Sequence, residues 1–189
     1  MKTKQELRTE YRQLRKALDH EHIEQNSRLI RDRFIEWLDL HPDLMHFHLF
    51  FPINRFNEVN TFYIKEVLES REKVLYTSQT NRENPALETL KLPRDVEFFF
   101  DEWGIPVPQE SIMVSPSKLQ VVLVPLLAYD HLGNRVGFGK GYYDGFLRPI
   151  GNQVVKIGLS FFEPEEDFAS DPHDVALDMC ITPEKIYTF

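Results

Sequence analysis

A chain of 189 residues is long enough to bury one substantial core, and 42% hydrophobic with 28% charged residues is ordinary for a globular protein. One domain over 1–189 is therefore expected, not a disordered or fibrous chain. A net charge of −8 argues against a broad nucleic-acid surface, no apolar run approaches the roughly 18 residues of a membrane span, and the charged start lacks an apolar signal core. The one cysteine, Cys180, leaves no internal disulfide, so a reducing, cytoplasmic setting is expected.

Thr3-Lys4-Gln5-Glu6 has the spacing of a capping box, which starts a first helix. Leu7, Tyr11, Leu14 and Leu18 recur at helical spacing and predict its buried stripe, while Lys4, Arg8 and Arg12 repeat every four residues along another face. Such a basic face is ordinarily solvated. A second helix is expected from about His20 to Asp39, with Ile23, Ile30, Phe34, Trp37 and Leu38 inward and His41-Pro42 as its stop. Met45 to Phe51 reads as a strand with His46 and His48 on one face; with no third Cys or His nearby to complete a metal site, they read as strand histidines. Asn60 or Thr61 can cap a helix over Phe62 to Ser70, with Glu58 just upstream as a charge suited to a helix N-terminus. Lys73 to Ser78 is a further strand running into a polar loop, Gln79 to Pro85, that carries Arg82. Glu88 to Leu92 and Asp95 to Phe100 fit either strand or buried turn. Trp103-Gly104-Ile105-Pro106-Val107-Pro108 is an extended, Pro-stiffened loop whose Trp needs a partner, either core or ligand.

The rest of the chain is organised around Val121 to Leu147. Val121 to Pro125 is apolar throughout, the pattern of a parallel strand buried on both faces. Gly137-Phe138-Gly139-Lys140-Gly141 then offers backbone N–H groups that can turn on an anion, with Lys140 as added charge. A helix starting near Gly141 would aim its positive end at the same place. The spacing is not that of a Walker loop, since Gly141 and not Ser or Thr follows Lys140; nor is it the dinucleotide fingerprint, since Tyr142 stands where a third glycine belongs. From spacing alone the stretch is a phosphate loop of undefined type, or only a turn. Gln153 to Ser160 is another strand, an acidic loop carries Glu163, Glu165, Glu166 and Asp167, and Met179 to Thr182 is expected at the sheet's edge. Strands near residues 45, 73, 121, 153 and 179, alternating with helices, predict an α/β sandwich with a mostly parallel sheet. Ligands in such sheets gather at the carboxyl ends of strands.

Asn134-Arg135-Val136-Gly137-Phe138-Gly139-Lys140-Gly141-Tyr142-Tyr143-Asp144, preceded by the hydrophobic strand ending in Pro125, resembles the signature of the 5-formyltetrahydrofolate cyclo-ligases. Lys4-xx-Leu7-Arg8, Glu58-Val59-Asn60-Thr61, Trp103-Gly104-Ile105-Pro106 and His173-Asp174 carry the resemblance over nearly the whole chain. It implies a three-layer α/β sandwich with a mostly parallel open sheet, NagB/RpiA/CoA-transferase-like. The implied reaction is ATP-dependent closure of 5-formyltetrahydrofolate to 5,10-methenyltetrahydrofolate through phosphorylation of the formyl oxygen, releasing ADP and phosphate. Residue by residue, the resemblance implies ATP contacts at Lys4, Arg8, Arg135, Gly137, Phe138, Gly139, Lys140, Gly141, Tyr142 and Tyr143. It implies folate contacts at Phe51, Glu58, Trp103, Tyr142 and Tyr143, catalytic roles for Lys140, Arg135 and Tyr143, and Mg²⁺ held by Asp144 and Asp174. Phe138 departs from the Tyr or Arg of many relatives, and Lys140 from the Gly of many bacterial ones. The partners expected are 5-formyltetrahydrofolate and ATP, with no nucleic acid or membrane, on a monomer. A reading from another class stands beside it: a non-catalytic module holding a nucleotide or sugar phosphate, in which Asp144 is a helix charge and Asp174 a turn.

Overall fold

The computed structural model describes residues 2–80, 86–102 and 104–189. Helix α1 (Lys4–Ala17) opens on the capping box: Glu6 N–H donates to the Thr3 hydroxyl at 3.2 Å, and Glu6 accepts from Thr3 N–H at 2.7 Å. Helix α2 (His20–Asp39) follows, capped by Asp19, whose carboxylate accepts from His22 N–H. Strand β1 (His46–His48) leads to α3 (Phe62–Ser70) and β2 (Val74–Thr80). Four short strands come next: β3 (Leu87–Lys91), β4 (Phe98–Phe100), β5 (Pro106–Pro108) and β6 (Ile112–Met113). The central strand β7 (Val121–Pro125) is followed by a ribbon of β8 (Ala128–Tyr129) and β9 (Arg135–Val136), then α4 (Tyr142–Ile150). Strands β10 (Val155–Leu159), β11 (Met179–Ile181) and β12 (Ile186–Thr188) complete the described elements.

The main sheet has eight strands in the order β12-β11-β10-β7-β1-β2-β3-β6. Its inner five, β11-β10-β7-β1-β2, are all parallel. These are the five strands that periodicity predicts, and the α/β fold with a mostly parallel sheet is as expected. Three-layer packing follows from alternation along β7. Val121 and Leu123 join a core with α2 and α3 through Ile30, Phe34, Leu38, Ile64 and Leu68. Val122 and Val124 face the other way, onto Phe146 and Leu147 of α4. Apolar side chains on both faces are what a central parallel strand demands.

Three expectations need correcting. Leu14 is 41% exposed, and Arg15 is buried with Leu7 and Tyr11 instead. The inner stripe runs 7, 11, 15, because α1 lies over the carboxyl end of the sheet, where a polar side chain finds backbone carbonyls. Met179–Ile181 is not the edge: β12 pairs antiparallel outside it. The predicted strand over residues 45–51 is laddered only at His46–His48, after which the chain leaves for the site. The Trp103 and Arg82 expectations lie outside the described residues.

Buried His48 on β1 meets Ser78 Oγ through Nε2 at 2.7 Å, and burial pushes its pKa down to about 3, so the folded imidazole stays neutral. In the unfolded chain a histidine takes a proton near pH ~6.5. Stability tied to this group is therefore complete above that pH and lost as pH falls toward the folded value, at about 1.4 kcal/mol per pH unit. Denaturant titrations at about pH 7 and about pH 5.5 should show a steeper acid loss in the wild type than in His48→Gln, which keeps a polar partner for Ser78 but cannot charge. Equal slopes would assign the acid sensitivity to other groups.

Candidate active site

In the parallel core the chain starts at β1, steps outward to β2, then returns to the other side of β1 for β7. The connections therefore diverge between β1 and β7, and a crevice opens outside the carboxyl ends of these two strands. The segment after β1 carries Phe51 and Glu58 to that crevice. The segment after β7 brings the β8–β9 ribbon, the glycine turn and the start of α4. Helix α1 packs across the same end, with Leu7 and Tyr11 against Leu127, Ala128 and Val136.

The glycine turn is held from behind by α1. Arg8 Nε donates to the Gly137 carbonyl at 3.1 Å and Arg12 to the Phe138 carbonyl at 3.2 Å. Arg15 donates to the carbonyl of Leu126, just past β7. With the Gly137 and Phe138 carbonyls taken by arginines, the turn leaves the backbone N–H groups of Gly137 to Gly141 without an acceptor among the described residues. Gly139 and Gly141 have φ of +93° and +69°, conformations that favour glycine, and a Cβ on Gly139 would come within 3.3 Å of Arg8 Nε. Gly141 is also the N-cap of α4, so the free N–H groups of the helix's first turn add to those of the turn. Lys140 is exposed, with no hydrogen bond or ion pair among the described residues. A row of unpaired N–H groups, a helix start and a free ammonium make a place for an anion.

The two carboxylates expected on magnesium are both paired with cations. Asp144 Oδ1 accepts from Arg135 at 2.7 Å and from Val175 N–H at 3.1 Å. Asp174 Oδ2 accepts from Lys4 and from Asp171 N–H, and Lys4 also reaches Asp171 at 2.7 Å. Burial opposes a charged Lys4, but hydrogen bonds to these two carboxylates outweigh it and raise its pKa. Since Asp144 docks on the residue following Asp174, the two acids flank one turn. Each keeps its second oxygen without a donor among the described residues. Among those residues no group of three or more His, Cys, Asp or Glu is gathered. Any hard cation on this pair would have to take its remaining oxygens from phosphate and water.

On the β1 side, Glu58 is buried, with Oε2 accepting from Ile53 N–H at 2.8 Å and Oε1 without a donor among the described residues. Burial raises its pKa, opposed by the Ile53 N–H and the Arg15 charge. Tyr143 is packed by His48 and Phe146, and burial with the Glu58 charge raises its pKa far above neutrality, only partly offset by Arg135. Phe51 is buried against Phe62 and Phe98, with ring centroids 4.8 and 4.4 Å away, so it forms the crevice's aromatic backing. Phe138 packs against Phe56 in a tilted pair with ring centroids 5.2 Å apart, and Tyr142 is half-buried at the start of α4. Lys4, Arg8 and the glycine turn, expected on ATP, and Phe51 and Glu58, expected on folate, therefore lie at one end of the sheet, with Tyr142 and Tyr143, expected on both, at the start of α4. Sequence reasoning missed Arg15 and Asp171. The signal for Arg15 was present, a charged residue four positions after Tyr11 on the apolar stripe.

Fold and site together define a class: a doubly wound α/β protein with its polar cluster gathered at the crevice where the strand order reverses. Within that class the chain belongs to the 5-formyltetrahydrofolate cyclo-ligase family, matching it over residues 1–183. A 5-formyltetrahydrofolate cyclo-ligase from Mycoplasma pneumoniae is 36% identical over 94 residues, which is 50% of this chain and 54% of that relative. The chain thus spans about half the length of that curated relative. Solved structures extend the likeness. A 5,10-methenyltetrahydrofolate synthetase from Mycoplasma pneumoniae superposes with a TM-score of 0.76 at 26% identity, covering 95% of this chain and 98% of that one. Its counterpart from Aquifex aeolicus gives 0.81 at 25% identity, covering 98% and 92%. No described helix is long and apolar enough to cross a membrane.

Proposed function

We propose that this protein closes 5-formyltetrahydrofolate to 5,10-methenyltetrahydrofolate at the expense of ATP, as a monomeric, single-domain, cytoplasmic enzyme that engages neither nucleic acid nor membrane. The observation that carries the reading is the juxtaposition, across one crevice, of an N–H-lined turn bearing a free Lys140 and a buried carboxylate with one idle oxygen, Glu58. In a member of this family, the first suits a polyphosphate and the second the N–H edge of a pterin.

A formamide is a poor electrophile because its nitrogen lone pair is shared with the carbonyl. The formyl oxygen attacks the γ-phosphorus, the bond to ADP breaks, and an imidate-like phosphate forms. The N10 amine then attacks the formyl carbon, loses its proton, and phosphate departs with the former formyl oxygen. The protein's work is positioning and charge neutralisation. Gly137, Gly139 and Gly141 offer N–H groups to the phosphates, with Lys140, Arg135, Lys4 and Arg8 as cations around them and Phe138 and Tyr142 as walls. Tyr143, a neutral phenol between Glu58 and Arg135, stands where the two substrates meet, and Phe51, Glu58 and Trp103 take the folate. Asp144 and Asp174 would hold Mg²⁺, which would neutralise phosphate charge. In this reading Lys4 and Arg135 exchange their carboxylate partners for phosphate when nucleotide arrives.

Mixing the protein with Mg-ATP and 5-formyltetrahydrofolate should produce the methenyl chromophore. ATP binding without that product would favour the non-catalytic module.

A further inference from the structure

Arg15 is 3% exposed, yet its pairing does not account for its burial. One terminal nitrogen donates to the Leu126 carbonyl, while Nε and Nη1 have no acceptor among the described residues. Its guanidinium carbon lies 6.0 Å from the centre of the Phe138 ring, and the Asn57 side chain donates to its backbone carbonyl at 2.7 Å. A cation sealed in with idle donors serves folding less well than an apolar side chain of the same bulk. Its use therefore lies in what its charge does to its surroundings, and the buried carboxylate beside it is Glu58, the residue after the Asn57 that holds its carbonyl.

We propose that Arg15 is a positioning residue for the folate: anchored on the Leu126 carbonyl just past the end of β7, and bonded through its own carbonyl to Asn57, the neighbour of Glu58, it keeps that carboxylate charged for the pterin's N–H edge. The inference rests on the folate reading of Glu58 given above. A carboxyl group this deeply buried tends to take up a proton, and a protonated Glu58 would present a hydrogen where the pterin also presents one. The side chains that bear on Glu58 are Arg15 from α1 and Tyr143 from α4, and on its own segment the Ile53 N–H holds Oε2. Tyr143 is a neutral phenol, so the compensating positive charge is Arg15. The same anchor on Leu126 ties α1 to the strand end.

The test is steady-state kinetics across pH on Arg15→Met, which keeps the bulk and removes the charge, and on Arg15→Lys. In Arg15→Met the KM for 5-formyltetrahydrofolate should rise about tenfold or more near neutral pH, with the KM for ATP within about twofold of wild type. The folate defect should shrink as pH rises, because Glu58 then loses its proton unaided, and Arg15→Lys should restore most of the affinity. Glu58→Gln has no charge to protect, so adding Arg15→Met to it should cost little more. An unchanged folate KM in Arg15→Met overturns the proposal. So does a loss that falls equally on ATP and folate and is the same at every pH. Should Arg15→Met fail to fold, the neutral but polar Arg15→Gln decides: a folate pH profile displaced to the alkaline side of wild type supports the proposal, and a superimposable one overturns it. Absence of turnover in the wild type would instead overturn the function from which the inference starts.

Discussion

Replacing Lys140 by Ala should lower turnover by about 100-fold or more while leaving the fold intact, the scale of removing one charge contact made in a transition state. The structural part of this expectation follows from surroundings. Lys140 is exposed, pairs with nothing among the described residues, and sits between two glycines whose positive φ values fix the turn without help from its side chain. Removing the ammonium therefore removes no packing. What disappears is the exposed charge on a turn whose N–H groups have no acceptor among the described residues, and phosphoryl transfer depends on such charge. Thermal unfolding should be unchanged, and kcat should fall more than the KM for ATP rises. Near-normal kcat would remove Lys140 from the mechanism.

Asp144→Asn should raise the magnesium concentration needed for half-maximal rate about tenfold or more, on the scale seen when groups around a metal are altered. Asn is chosen because its Oδ1 can still accept from Arg135 and from Val175 N–H, so the clamp on the turn beside Asp174 survives as hydrogen bonds. Only the charge is lost. Arg135, whose side chain is 4% exposed, is then left without its counter-ion. Stability should fall by about 1–3 kcal/mol, less than for a fully buried pair because Asp144 is 29% exposed and water screens part of the interaction. The two effects separate two roles. A loss of stability with an unchanged magnesium titration would leave Asp144 as a structural clamp alone.

The sheet was legible because its central strand leaves no ambiguity of face: every residue of Val121–Pro125 is apolar, and Pro125 closes the run. The capping box fixed the start of α1, and His41-Pro42 marked the stop of α2. The glycine turn declared itself for a similar reason, since Gly139 and Gly141 occupy backbone conformations that other residues rarely adopt. Arg15 was not legible by hydropathy. A stripe built from leucines points to Leu14, whereas α1 rests on carbonyl groups at the sheet's end, where a guanidinium can be buried and a leucine need not be. The pairing of Lys4 with Asp174 joins positions 170 apart in the chain, and only the crossing of α1 over the sheet's end brings them together. Strand β12 is a three-residue piece held by its neighbour β11, too short for periodicity to register.

The most direct test is the structure of the protein with magnesium, a non-hydrolysable ATP analogue and a folate. The phosphates should lie on the N–H groups of Gly137 to Gly141 within reach of Lys140, with the pterin on Glu58 across the same crevice. Phosphates bound at a distance from that turn, or a pterin away from Glu58, would contradict the account.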